Sequence, residues 1–241
     1  MSFSNAKVRC SSIGKIMTEP RDKKDKESGA LSATALSCLT EIYVSEKYGR
    51  VKDIQSKPMK KGTEVEDDSI ATLSIFDGNI YEKNKERFEN DYITGTPDII
   101  FGEKVIDVKS SYDLWTFLAN LQSSIDKDYY WQLQGYMWLT GAQVGEIAYV
   151  LSDMPEQMLQ DEKYYLLRKM NVVTEESPEF IKAAAELEKR LTFSDISIKE
   201  KVIKLKANRN DNDIELIAAN VEKIRIALAH FENLHKNQSN A

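Results

Sequence analysis

A chain of 241 residues that is 41% hydrophobic and 30% charged is long enough to bury the core of one sizeable α/β domain, and it holds no apolar run of membrane length. Its opening Met1-Ser2-Phe3-Ser4-Asn5-Ala6-Lys7 lacks the apolar centre of a secretory signal, so a cytoplasmic location is expected, where Cys10 and Cys38 read as buried or idle thiols. A net charge of -6 excludes nucleic-acid binding by total charge and leaves it to local basic patches.

In chain order, the apolar periodicity predicts helices over 9–18 and 31–49, separated by a polar loop over 19–29, with the second helix stopping at Gly49. A helix over 61–76 opens on Lys60-Lys61-Gly62-Thr63-Glu64-Val65-Glu66-Asp67-Asp68. A β-hairpin around residues 98–109 comes next, then helices near 113–124 and 129–140, a strand over 144–151, and helices over 157–170 and 178–191. The result is a βαβ-like centre with flanking helices, without internal repeats or a long low-complexity linker. Residues 1–195 are assigned to one domain, and 196–241 to a basic segment and an amphipathic helix expected to pack on it.

In that last segment Ile214, Ile217, Val221, Ile224, Leu228 and Phe231 alternate spacings of three and four, the stripe of a buried or paired helix. Docking on its own domain is favoured over an oligomer seam. His230 and His235 stand five apart and share no helical face, so neither is read as a ligand; 237–241 reads as a frayed tail.

The hairpin carries the chemistry. In Thr96-Pro97-Asp98-Ile99-Ile100-Phe101-Gly102-Glu103-Lys104-Val105-Ile106-Asp107-Val108-Lys109, two β-rich runs flank a two-residue turn with Gly102 in its first central position. That turn sets a register pairing Phe101 with Lys104 and Asp98 with Asp107. Like charges directly opposed on a sheet destabilise it, so something must neutralise them. Alternation places Lys109 on the face of Asp107 and turns Val108 to the apolar side. Two carboxylates and an ammonium converging beside a sheet suit a hard divalent cation and a phosphate oxygen. An ordinary surface ion pair between Lys109 and Asp107 stands as the alternative.

Further along, Trp131-Gln132-Leu133-Gln134-Gly135-Tyr136-Met137-Trp138 puts Gln132 and Tyr136 on one helical face. Taken in order, Gly62-Thr63-Glu64-Val65-Glu66, Pro97-Asp98, Asp107-Val108-Lys109 and this glutamine segment resemble the PD-(D/E)xK nucleases, and among them the lambda-exonuclease or YqaJ-type viral recombinases. The resemblance spans roughly residues 9–195.

The resemblance implies a restriction-endonuclease-like (RecB-type) α/β core, with a central mixed sheet flanked by helices and a C-terminal helical extension. It further implies that Glu66, Asp98 and Asp107 hold Mg²⁺ or Mn²⁺ with the Val108 carbonyl, and that Lys109 positions or deprotonates the attacking water. Gln132 would orient the site. Arg9, Ser11, Gln134 and Tyr136 are the expected DNA or phosphate contacts, Arg9 and Ser11 at a 5′ phosphate, with Ser11 equally suited to cap a helix. Glu66 is preferred to Glu64 on spacing. Two cysteines are too few for the related nucleases that carry a four-cysteine iron–sulfur cluster.

The expected activity is metal-dependent, 5′-to-3′ exonucleolytic hydrolysis of duplex DNA ends in phage-type recombination, alongside a single-strand annealing protein and with a homo-oligomeric ring as the family precedent. An endonuclease of the same fold and a non-catalytic DNA-binding module are the alternatives. Basic clusters at 57–61, 21–26 and 199–209 are candidate tracks for the phosphate backbone, or else solvated faces.

Overall fold

The computed structural model describes residues 3–53 and 56–239; residues 240–241, the end of the expected frayed tail, lie outside the described residues. The first strand, β1 (Val8–Arg9), leads through a 3₁₀ turn at Cys10–Ser12 into α1 (Ile13–Ile16), α2 (Lys23–Glu27) and α3 (Ala33–Tyr48). Helix α2 was expected to be loop; Asp22 caps it by accepting from the Lys24 N–H. Helix α3 starts where the Ser32 hydroxyl accepts from the Ala35 N–H at 3.0 Å, and it ends at Gly49 as expected.

The single helix expected over 61–76 is two: α4 (Lys57–Glu64) and α5 (Glu66–Asp77). The break falls at buried Val65, and it places Glu66, Asp67 and Asp68 in the first turn of α5, where the helix dipole favours acids. Lys61 ends up fully buried, donating to the carbonyls of Ser111 at 2.8 Å and Tyr112 at 3.0 Å, and burial pushes its ammonium down to about 8.

Strands β2 (Phe88–Glu89) and β3 (Ile93–Gly95) join β1 in a small sheet of order β1-β3-β2 that the sequence reading missed. The hairpin follows as β4 (Ile99–Phe101) and β5 (Lys104–Ser110), in the expected register: Phe101 faces Lys104 and Ile99 faces Ile106, where the pairing ends; Asp98 precedes β4 in a bend and lies near Asp107. Gly102 at φ +59 supplies the turn's first central residue.

From β5 the chain crosses over through α6 (Leu114–Leu118) and α7 (Lys127–Thr140) to β6 (Val144–Val150), which lies parallel to β5. A hairpin of α8 (Glu156–Met170) and α9 (Pro178–Leu191) then precedes β7 (Val202–Asn208), antiparallel to β6, and α10 (Asp211–Ser239) closes the chain. The mixed four-stranded sheet therefore runs β4-β5-β6-β7. Among the described residues, no helix is long and apolar enough to cross a membrane.

The pleat divides the core between the two faces of the sheet. Ile99, Ile106, Val108, Ala148, Val150 and Val202 pack on Ile70 and Leu73 of α5, while Val105, Ile147, Tyr149 and Ile203 pack in the larger core with α1, α3, α7 and α10. Five of the six stripe residues of α10 are buried and the sixth, Phe231, is partly so, which places the stripe inside this chain. Cys10 and Cys38 are buried free thiols, and burial raises Cys38 to about 11.

Basic segment 199–209 is a sheet strand preceded by a turn, and part of its charge is spent within the chain, while Lys199 and Lys206 stay exposed. Lys204 reaches inward to Asp77 at 2.6 Å and to fully buried Glu146 at 2.8 Å, and Arg209 binds the Met137 carbonyl and Asp211, both at 2.8 Å. Cluster 57–61 is likewise committed: Lys57 pairs with Glu162 at 2.6 Å, Lys60 with Glu64 at 3.7 Å, and Lys61 is internal.

Helix α10 is fastened to α3 by Glu232, which accepts from the Tyr43 hydroxyl at 2.5 Å and from Lys47 at 2.7 Å. Those two bonds hold its carboxyl down at about 2, below the ordinary 4.5. The folded value is the lower one, so the contact stabilises fully above pH 4.5 and is lost as pH falls through about 2. Melting temperature is expected to fall more steeply between pH 5 and pH 2 in wild type than in Glu232→Gln; parallel profiles would remove this contact from the acid response.

Candidate active site

Local sequence puts the charged groups at one end of the sheet. Asp98 is the residue before β4, Asp107 and Lys109 are alternate residues of β5, Gln132 and Tyr136 lie a turn apart on α7, and Glu66 opens α5. Helix α7 comes close because its partners are small. A Cβ on Gly135 would stand 2.5 Å from Ile13 Cδ1, and one on Gly95 would stand 2.6 Å from Cys10 Sγ and 2.8 Å from the Tyr136 ring.

Asp107 is 1% exposed, so the alternative of an ordinary surface pair does not hold. Its Oδ1 accepts from Gln132 Nε2 at 3.0 Å, and its Oδ2 meets Lys109 Nζ at 2.7 Å. That second contact is an ion pair without hydrogen-bond geometry, so Oδ2 is a buried oxygen with unused capacity. Asp98 Oδ2 accepts from the Val108 N–H at 2.7 Å. An extended residue sends its N–H and C=O to the same edge, so the Val108 carbonyl is turned toward Asp98 as well.

Burial, then the neighbouring charge of Asp107, pushes the Asp98 carboxyl up to about 7 despite the Val108 N–H and Lys109. Burial works against the charge on Lys109, but Asp107 overrides it and the ammonium is held above its ordinary value. The Tyr129 ring adds to this, its centroid 4.7 Å from Lys109 Nζ.

Glu66 is near enough to add to the charge felt by Asp98, yet its carboxylate is engaged by a lysine. Its Oε2 lies 3.0 Å from Lys83 Nζ, and among the described residues no three His, Cys, Asp or Glu side chains are gathered closely enough to grip an ion as they stand. The donor set nonetheless fits a hard cation: neighbouring carboxylates, a buried oxygen with spare capacity and a carbonyl on the same edge are all oxygen ligands.

Two expected DNA contacts are corrected. Gln134 is fully buried, and it spends both ends of its amide on the turn between β7 and α10, donating to the Asn208 carbonyl at 2.8 Å and accepting from the Asn210 N–H at 3.0 Å. Tyr136 is also buried. Its hydroxyl accepts from Gln132 Nε2 at 2.8 Å, so it supports Gln132 from beneath rather than reaching solvent.

Arg9 and Ser11 are exposed and line a separate cleft of about 520 Å³ with Lys7, Lys15, Arg87 and Thr94. Cys10, between Arg9 and Ser11 in sequence, packs against Gly95, which also lies against the Tyr136 ring. Arg87, whose Nε donates to Thr94 at 2.8 Å, was missed because Lys85-Glu86-Arg87 looks like any polar loop.

This structure is similar to that of a phage-related exonuclease from Haemophilus somnus 129PT, with a TM-score of 0.71 and 27% identity over 95% of this chain and 96% of that one. It also shares its fold with the alkaline exonuclease LHK-Exo from Laribacter hongkongensis, free and in complex with dAMP, in each case with a TM-score of 0.64 and 17% identity over 98% of this chain and 95% of that one. No family model matches the chain, and no curated protein sequence does. The fold shared with these exonucleases and the order of the Glu66, Asp98, Asp107-Val108-Lys109 and Gln132 motifs together support the lambda-exonuclease-like viral recombinases, among the PD-(D/E)xK nucleases, as the family this chain resembles.

Proposed function

We propose that the protein is a Mg²⁺- or Mn²⁺-dependent exonuclease that hydrolyses phosphodiester bonds from duplex DNA ends in the 5′-to-3′ direction. The observation that carries the reading is the buried Asp107 with half-buried Asp98 close enough to feel its charge and Lys109 on its Oδ2, a concentration of acid that a bound cation would neutralise. Asp98, Asp107, the Val108 carbonyl and Glu66 would hold the ion, which when bound supplies a water of lowered pKa and neutralises phosphoryl oxygens.

The remaining work falls to the chain. Gln132, braced by Tyr136, fixes the rotamer of Asp107 through its Oδ1. Lys109 is held as an ammonium and so serves as a fixed positive charge where the phosphorane develops, which favours charge stabilisation over proton abstraction. Arg9, Ser11 and Arg87 offer guanidinium and hydroxyl groups to a terminal 5′ phosphate, and charge-assisted bonds of this kind select an end over a continuous strand. A place in phage-type recombination beside a single-strand annealing protein accords with this family. A ring of copies would need surfaces other than the α10 stripe, which this chain already covers.

Linear duplex with 5′-phosphate ends is expected to be degraded in Mg²⁺ and to survive in EDTA, while closed circular duplex survives both. Ends bearing 5′-hydroxyl should be cut more slowly, and Arg9→Ala or Arg87→Ala should each narrow that difference. Equal cutting of circular and linear duplex would instead identify an endonuclease.

A further inference from the structure

We infer that Lys83 is a latch on Glu66: its ammonium occupies the carboxylate that a bound divalent ion needs, and a metal must displace it to complete the site. The inference rests on the metal-site reading above.

Lys83 Nζ lies 3.0 Å from Glu66 Oε2 and 3.1 Å from Asp67 Oδ1. It is stationed there by the backbone. The neighbouring Asn84 donates its N–H to the Asp98 carbonyl at 2.7 Å and its side-chain amide to the Pro97 carbonyl at 2.9 Å, so Lys83 is tied to the residue that would be Glu66's fellow ligand. One member of the expected carboxylate trio is thus engaged by an ammonium.

An ammonium so placed opposes metal binding in two ways. It removes a ligand, and it puts a positive charge beside an incoming divalent cation. It also has somewhere to go, because Asp67, 85% exposed, already shares it and can keep it when Glu66 swings to the metal. The pair is partly exposed, 33% for Lys83 and 25% for Glu66, so the opposition is modest and a divalent ion can overcome it. The latch thus lowers metal affinity without abolishing it, and it makes the loaded state depend on what else neutralises the site.

Mn²⁺ titrated into metal-free full-length protein, followed by calorimetry and by electron paramagnetic resonance of the free ion, tests this without any turnover. Lys83→Met is expected to bind about five- to tenfold tighter than wild type. In a Glu66→Gln background the same substitution should gain clearly less, since only the charge repulsion and no longer the ligand is restored, and an equal gain in both backgrounds overturns the latch. Lys83→Gln serves the same purpose should the methionine variant fold poorly. Asp107→Asn separates the latch from the site: loss of Mn²⁺ binding in it, with Lys83→Met unchanged or weaker than wild type, overturns the latch alone. Undiminished binding in Asp107→Asn would overturn the site and the latch together.

Discussion

Asp107→Asn and Lys109→Ala are each expected to slow Mg²⁺-dependent hydrolysis of linear duplex by about a hundred- to a thousandfold, the usual cost of deleting a group aimed at developing charge. Activity within tenfold of wild type in either variant, measured on end-labelled duplex, would sink the assignment. The two should differ in stability. Asparagine at 107 keeps an acceptor for Gln132 and relieves the repulsion with Asp98, but it deprives Lys109 of its partner, so its metal-free melting temperature should change little. Lys109→Ala leaves Asp107 buried beside Asp98 without a cation. Orphaning one partner of a buried pair costs about 3–5 kcal/mol; Lys109 is 27% exposed, so the loss should be smaller than that. Mg²⁺ should restore much of it, because the ion supplies the missing positive charge.

The double substitution Val221→Asp and Leu228→Asp is expected to abolish cooperative unfolding. Both side chains are fully buried among α1, α3 and α7. Each unpaired carboxylate buried there costs several kcal/mol, against a total domain stability of about 5–15 kcal/mol. Leu228→Ala should keep the fold and lose about 2–5 kcal/mol in denaturant melts, with mass by light scattering unchanged. A double variant that melts like wild type but at a lower oligomeric mass would instead make the stripe a seam between copies.

The sequence by itself determined what short-range rules govern. A two-residue turn at Gly102-Glu103 fixes the hairpin register, and with it the approach of Asp98 to Asp107, because the turn length sets which residues face each other. The 3.6-residue period and its caps placed α3, α7, α8, α9 and the buried stripe of α10 within a few residues. Gln132 and Tyr136 were legible as one helical face for the same reason.

Only the tertiary structure decided which charges are surface and which are interior. Val202-Ile203-Lys204-Leu205-Lys206 alternates as a strand should, yet only the pairing with β6, which brings buried Glu146 opposite, shows that Lys204 is spent inside the chain. Strands β1, β2 and β3 are two or three residues long, too short to show a period, and exist because they pair with one another. Gln134 looked like a site residue by its proximity to Gln132, but two residues are about 200° of helix rotation, enough to turn it from Asp107 to the backbone of 208–210. Lys83 and Arg87 sit in a stretch with no periodicity at all, and their partners Glu66 and Thr94 are supplied by other elements. Charge carries no address in a sequence: an ion pair forms wherever the packed core delivers two side chains to within a few ångströms, and that is settled by the apolar residues around them.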